Sequence, residues 1–424
     1  MSDILANTPV TLPTILARQP VFDREGTLWG HELLFRRNYE DNSAVFTDAN
    51  QATLTVAAGM FSAPWKFFHC SRRILLNFGQ QSILEKVPYA FPHSQTIIQV
   101  NEDITTNVNL LTTLIDLKKD GYTIAIDNFS GRANPKVLLD LIDMVIIDVL
   151  DKAITEVEQQ AQQAKQFSKA LLLAKKVETK SMHNVAKDLG FHLFQGFFFK
   201  RPEILAGNTL TSHQASRIEL LAAIEQPEPA FKELAQRIQA DVSIGYRLLS
   251  YLNSPAFGFT QPIRSIKQAI ALLGWKQLRN WLRVILITDL DSGDACNELA
   301  FLSVQRGKFL EWTALNHVLP DQDPDSLFLL GLFSLLEPML RLPMQEIILH
   351  LPLAREVKDA LCRENNLYTP WLDMVTAIET ADWDSLDALA EQLGLNRSII
   401  TIAYYESIAW ANTFFRYTRP TREA

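Results

Sequence analysis

In the first 200 residues, polar and charged side chains recur at one kind of place, the downstream end of a short apolar run. Asn77 follows RILL, Gln99 and Glu102 stand at and after TIIQV, and Asp127 and Asn128 follow TIAI. Asp148 follows VII, Lys175, Lys176 and Glu178 follow LLLA, and Gln195 follows LF, while Glu32 and Arg36 lie within a further run. Carboxylates converging with an Asn oxygen would suit Mg²⁺ or Mn²⁺, hard ions that prefer oxygen ligands. Taken singly, each of these residues would do no more than bond its own loop.

The elements that would have to gather them are eight apolar runs: TILARQPVF, LWGHELLFR, RILLNF, TIIQV, YTIAIDNF, MVIIDV, ALLLAKKV and HLFQGFFF. Most are rich in Ile, Leu, Val and Phe at successive positions, as strands covered on both faces require. The segments between them, such as Val108 to Lys119 and Lys152 to Lys169, carry helical spacing. Eight strands with intervening helices predict an α/β barrel of the (β/α)8 kind, in which functional side chains gather at the C-terminal strand ends. An open doubly wound sheet is the alternative, but no glycine-rich phosphate loop follows any strand.

Beyond Pro202 the pattern changes. EILAGNTLTSHQASR is polar and turn-prone, and from Ile218 onward the apolar spacing is almost wholly helical, in AFKELAQRIQAD, VSIGYRLLSYLN, SIKQAIALLGWKQLRNWLRVILITDL, AFLSVQRGKFLEWTALNH and DSLDALAEQLG. Stops are expected at Asn253-Ser254-Pro255, Gly258 and Pro262. The expected division is a barrel over 1–205, a linker over 206–215 and an all-α domain over 216–424, in keeping with a length of 424 residues that exceeds a single core.

The net charge of −8 provides no broad basic field for nucleic-acid phosphates. GWKQLRNWLRV mixes aromatic and basic residues, yet Trp275, Leu278, Trp281 and Leu282 recur at helical spacing and predict a core-facing stripe, with Lys276 and Arg279 on the wet side. Cys70, Cys296 and Cys362 are far apart and odd in number, which suits a reduced, cytoplasmic setting. No stretch reads as a signal peptide or membrane span; the run Leu327 to Leu340 is short, contains Glu337, and predicts a core helix. His317 and His350 lie in no Asp/His cluster.

The ordered blocks RQPVF, HELLFR, LNFG, IIQVNED, AIDNFSG, DMVIIDV, AKKVET and QGFFFKRP together resemble the EAL domain family, cyclic di-GMP phosphodiesterases and their inactive relatives, over about the first 205 residues. The resemblance implies a modified barrel and, in active members, two divalent ions that activate a water for attack on the phosphodiester. Carried over block by block, it puts metal-site positions at Glu32, Asn77, Asp127 and Gln195, a substrate-side amide at Gln19 and a phosphate-side guanidinium at Arg36, with Gln195 a further nucleotide contact.

Four positions depart from the family pattern. Gln99 and Asn128 stand where it has acids, Ile146 where it has the lysine of L-K-I-D, and Lys175 where it has the glutamate of A-E-G-V-E. The two amides keep oxygens but lose charge, Ile146 cannot hold a water, and Lys175 brings a cation where an anionic ligand belongs. The expectation is a site that neither catalyses nor binds metal, in which the Lys175 ammonium reaches Glu32 or Asp127 and offsets their charge. The loop NFSGRANPKVLLDL also replaces the family's D-F-G-T-G-Y-S-S-L segment, which puts the family's usual dimer in doubt and leaves the oligomeric state open.

In the second half, LAQRIQADVSIGYRLLSYLNSPAFGF, PIRSIKQAIALLGWKQLRNWLRVIL and LFLLGLFSLLEPMLRLPMQEIILHLPL resemble the HDOD domain, a helical output module related to the HD phosphohydrolases. Where those enzymes carry a His-Asp pair, GLFSLLEP has Ser334 and Leu335. The order EAL then HDOD, and the spelling ELLFR, are those of YuxH-type bacterial signalling proteins. The implied function is non-enzymatic signalling in motility, surface attachment or biofilm control, through protein partners engaged by the HDOD half. The alternatives are a cyclic di-GMP effector that binds through Gln19, Arg36 and Gln195 without hydrolysis, and a weak phosphodiesterase, which alone would need Mg²⁺ or Mn²⁺.

Overall fold

The computed structural model describes residues 16–35, 73–102, 107–132, 138, 140–167, 170–200, 211–226, 244, 247, 252–253, 266–290, 294–316 and 322–418. Arg36, Cys70, His317, all of AFKELAQRIQAD, most of VSIGYRLLSYLN and the stops from Ser254 to Pro262 lie outside the described residues.

Eight strands close into one barrel in sequential order. They are β1 (Leu16–Asp23), β2 (Leu28–Phe35), β3 (Ile74–Asn77), β4 (Thr96–Asn101), β5 (Thr123–Asp127), β6 (Met144–Asp148), β7 (Leu171–Lys175) and β8 (Leu193–Gln195). From β2 to β8 neighbours run parallel, but β1 is antiparallel to both β2 and β8. The barrel is thus a variant of the regular (β/α)8 form: a tight turn between β1 and β2 reverses the first strand, and no helix intervenes. The helices described around it are α1 (Gln80–Leu84), α2 (Val108–Lys119), α3 (Ile154–Ala164) and α4 (Lys180–Asp188). Asn107 caps α2 by accepting from the Asn109 and Leu110 amides, and Lys118 and Lys119 close its last turn.

The alternation of side chains along each strand sorts the barrel into two apolar groups. One face of the strands, with Ile98, Val100, Ile124, Ile126, Val145 and Ile147, packs with Leu110, Leu114 and Leu117 of α2 and Val157 and Ala161 of α3. The other face supplies a separate inner cluster of Val21, Leu75, Ile97, Ala125, Met144, Ile146, Leu173 and Leu193. Two residues beyond this floor, on the same face, come Asn77, Gln99, Asp127, Lys175 and Gln195, which is why polar groups collect at the C-terminal mouth.

The expected strand 192–199 ends early. After Gln195 the chain turns at Gly196 (φ +149°), where a Cβ would stand 2.2 Å from the Val177 carbonyl oxygen, and Phe197–Lys200 form a 3₁₀ turn. Only a residue without a side chain fits this close approach.

The second half is helical: α5 (Ser212–Ile224), α6 (Ile266–Thr288), α7 (Asp294–Leu315), α8 (Pro324–Phe333), α9 (Leu336–Leu340), α10 (Met344–Ile347), α11 (Arg355–Leu361), α12 (Thr369–Thr380), α13 (Trp383–Gln392) and α14 (Arg397–Thr418). Helix α5 begins inside the stretch 206–215 that the sequence reading gives to a linker. The cause is local: Thr211 accepts from the Gln214 amide and Gln214 returns the bond, a capping box within a segment that reads as merely polar. The long run Ile266–Thr288 is two helices joined at Gly274 (φ 74°, ψ 162°), a conformation that favours glycine. Beyond it Leu278, Trp281 and Leu282 are buried and Lys276 is exposed, as the stripe predicts. Leu327, Phe328, Leu330, Leu332 and Phe333 of α8 are likewise buried in the helical core, so the apolar run 327–340 is spent on packing. No single helix among the described residues is long and apolar enough to cross a membrane.

Candidate functional site at the barrel mouth

Lys175, on the last turn of the β7 ladder, points into the lumen between two carboxylates. Its Nζ lies 2.6 Å from Glu32 Oε1 and 3.3 Å from Asp127 Oδ2, and all three side chains are nearly inaccessible to solvent. Burial pulls the ammonium's pKa down, but the Glu32 and Asp127 charges more than reverse this and leave it raised, so Lys175 stays protonated. Asp127 is shifted upward, first by burial and then by Glu32, against the opposing pull of Lys175. One ammonium shared by two buried acids accounts for both directions. This is the contact that the substitution at 175 leads one to expect.

The remaining site positions fall around this triad. Asn77 Nδ2 donates to Asp127 Oδ2 at 3.4 Å, and the Asn128 amide donates to Asp127 Oδ1 at 3.0 Å. The Asn128 side chain itself is exposed, and its left-handed backbone (φ 53°) is one that asparagine tolerates better than most residues. Gln195 Nε2 donates both to Glu32 Oε2 (2.5 Å) and to Gln19 Oε1 (2.8 Å). Ile146 is fully buried in the inner apolar cluster. Gln99 is also fully buried, and neither its Oε1 nor its Nε2 meets a partner among the described residues; the same holds for Gln195 Oε1. An orphaned buried amide of this kind costs about 1–3 kcal/mol.

Among the described residues no group of three or more His, Cys, Asp or Glu side chains is gathered as a metal centre. Asp148 turns aside to pair with Lys176 at 2.7 Å, and Glu102 accepts from the Ser130 amide and hydroxyl, so these outer strand-end polar groups tie neighbouring loops together.

Sequence reasoning missed a second cluster, where the mouth meets the helical half. Gln19 Nε2 donates to the backbone carbonyl of Glu379 in the last turn of α12 (3.0 Å). The Glu379 carboxylate accepts from Lys200 (2.6 Å) and, by two bonds of 2.8 and 2.6 Å, from Arg306 of α7. Beside it Glu298 of α7 pairs with Arg18 at 2.6 Å, with His31 Nε2 3.5 Å away, and the Arg18 guanidinium lies 4.3 Å from the Phe301 ring centroid. Burial alone would raise both carboxylates; Arg306 and Lys200 at Glu379, and Arg18 and His31 at Glu298, instead hold each at about 2. A signal was available: Glu379 ends a helix whose Trp371, Leu372, Met374, Val375 and Ile378 are all core residues, and Arg306 sits between the buried Val304 and Phe309. Charges on core-facing positions demand partners.

Ser334 and Leu335, the positions that the resemblance aligns with an HD pair, lie against the same cluster. Ser334 Oγ accepts from Arg306 Nη1 (2.8 Å) and donates to the Gly331 carbonyl (2.7 Å), while Leu335 is buried in the helical core. His350 is exposed, on a short turn.

The chain is 32% identical over 407 residues to "Uncharacterized protein YuxH" of Bacillus subtilis (strain 168), an overlap that spans 94% of this chain and 98% of that one. It belongs to the YuxH family. Within it, residues 66–202 match the EAL domain and residues 210–336 the HDOD domain, so the chain is an EAL/HDOD protein of the cyclic di-GMP-related signalling class. "Cyclic di-GMP phosphodiesterase CdgJ" of Vibrio cholerae serotype O1 is 28% identical, over 95% of this chain and 93% of its own length. The EAL domain of Mycobacterium smegmatis DcpA is 20% identical over 43% of this chain and 90% of its own, with a TM-score of 0.35.

Proposed function

We propose that this YuxH-family protein is a non-catalytic, cytoplasmic signalling module that acts through protein–protein contacts, and that its barrel mouth no longer hydrolyses cyclic di-GMP. The observation that carries this reading is the Lys175 ammonium seated on both Glu32 and Asp127. A pair of dications needs several carboxylates facing a common point. Here a buried cation already sits between the two acids and offsets part of their charge, Gln99 and Asn128 bring no charge, and Ile146 brings no donor. A divalent ion entering this set would have to displace a buried ammonium, so the residues present do not fit the two-metal centre of active EAL enzymes. The helical half, with Ser334 and Leu335 at the HD positions, supports an output role rather than a second catalytic one.

A second reading is nucleotide binding without hydrolysis. It is favoured by the orphaned polar atoms of Gln99 and Gln195, which a ligand in the lumen would satisfy. Gln19 and Gln195 are its amide donors, and Arg36 is its phosphate partner on the family resemblance. The name of CdgJ gives the third reading, a slow phosphodiesterase dependent on Mg²⁺ or Mn²⁺.

Calorimetric titration of the full chain with cyclic di-GMP, with and without Mn²⁺, separates the three. The non-catalytic interaction module gives no heat, metal-independent heat moves the assignment to an effector, and product formation moves it to an enzyme.

A further inference from the structure

One run of hydrogen bonds crosses from the centre of the barrel into the helical half. Asn77 and Lys175 meet on Asp127, Lys175 meets Glu32, Gln195 bridges Glu32 to Gln19, and Gln19 reaches the Glu379 carbonyl. From the Glu379 carboxylate the run continues to Arg306 and ends on Ser334. The vestigial metal positions of the barrel and an HD position of the helical half are therefore two ends of one network, with Lys175 and Arg306 as its buried cations.

The middle of this run has little slack. A single nitrogen of Gln195 serves both Glu32 and Gln19, and its oxygen has no partner among the described residues, so among these residues the two bonds orient the amide. The space enclosed among Gln19, Gly196, Lys200 and Glu379 is about 10 Å³. That holds about one water and no ligand. The face of the mouth at Gln19 is thus filled by the end of α12.

We infer that the barrel's former ligand face is a docking surface for the chain's own helical half, and that the Lys175–Glu32 pair governs how firmly α12 is held there. The inference rests on the reading of the mouth as a disabled site. If Lys175 no longer holds Glu32, Gln195 follows the freed carboxylate, Gln19 Oε1 loses the bond that Gln195 donates, and the carbonyl of Glu379 loses its donor. Coupling of this form passes through contacts that exist in the structure at every step.

The test is amide hydrogen exchange on the full chain, without nucleotide, comparing α12 with strands β4–β6. Lys175→Met, which contacts nothing in α12, is expected to speed exchange in the last two turns of α12 by about tenfold relative to the strands. Gln19→Ala, which cuts the run while leaving both ionic clusters intact, gives the same local effect and serves also if the Lys175 variant does not fold. Exchange in α12 that is unchanged in Gln19→Ala, or that rises in Lys175→Met only in step with the strands, overturns the coupling. No nucleotide enters the measurement, so turnover that defeats the disabled-site reading is recorded separately from failure here.

Discussion

Lys175 Nζ stands 2.6 Å from Glu32 Oε1 inside the barrel lumen, at a position where active relatives of the family carry an acid. On the proposed reading, this pair stands in for a metal-binding arrangement with the chain's own side chains. Whether it replaces the metal energetically is a matter of what happens when the cation is removed.

Lys175→Met leaves Glu32 and Asp127 buried without a counter-charge, and breaking a buried pair from one side costs about 3–5 kcal/mol. Urea unfolding of the full chain is expected to show a loss of this size. A change below about 0.5 kcal/mol, the range of an ordinary surface substitution, would remove the structural role assigned to Lys175.

Restoring an acid should restore an appetite for metal. Lys175→Glu is expected to lower the melting temperature in chelator and to recover stability on addition of millimolar Mn²⁺, because a ligand that binds only the folded state stabilises it. The unmodified chain is expected to melt at the same temperature in chelator and in Mn²⁺. Equal Mn²⁺ stabilisation of both proteins would show that the native residues bind the ion after all.

The pH dependence has two arms. Glu298 and Glu379 fall from 4.5 to about 2 on folding, so the stability they lend is complete above pH 4.5 and is lost as pH falls from there toward 2. His31 is also depressed, first by burial and then by Arg18, and adds to the acid loss below its unfolded value of 6.5. Lys175 is raised, so its contribution is complete below 10.5 and fades only as pH rises above that value. Urea unfolding across pH is expected to show a plateau near neutrality and an acid decline that Glu379→Gln makes shallower. An acid decline unaltered by Glu379→Gln would deny that carboxylate its place in the interface.

Gln99 provides a prediction of opposite sign. Its buried amide has no partner among the described residues, so Gln99→Leu, similar in size and apolar, is expected to stabilise the chain by about 1 kcal/mol. Destabilisation would mean that a bound water or ligand satisfies the amide in solution.

Much of the barrel could be read from the chain, because strands buried on both faces announce themselves as Ile/Val/Leu runs and the helix at Val108–Lys119 announces itself by period. The antiparallel β1 could not, since strand direction leaves no mark on composition. The early end of β8 was masked by FFF, three residues of high strand propensity overruled by the close packing of Gly196 on Val177. At the site, the block order located Glu32, Asn77, Asp127 and Gln195, and the misplaced charge of Lys175 pointed to its partners. The Glu379 cluster escaped notice because its members lie far apart in sequence, up to 361 positions between Arg18 and Glu379 by residue number, and only the docked helical half brings them together.

The most direct measurement is incubation of the purified full chain with cyclic di-GMP and Mn²⁺, followed by chromatographic separation of cyclic from linear dinucleotide. No linear product is expected, however long the incubation, because Lys175 sits on the two acids that would have to hold the metals. Linear dinucleotide appearing at a rate comparable to that of active EAL enzymes, and vanishing in chelator, would contradict the account.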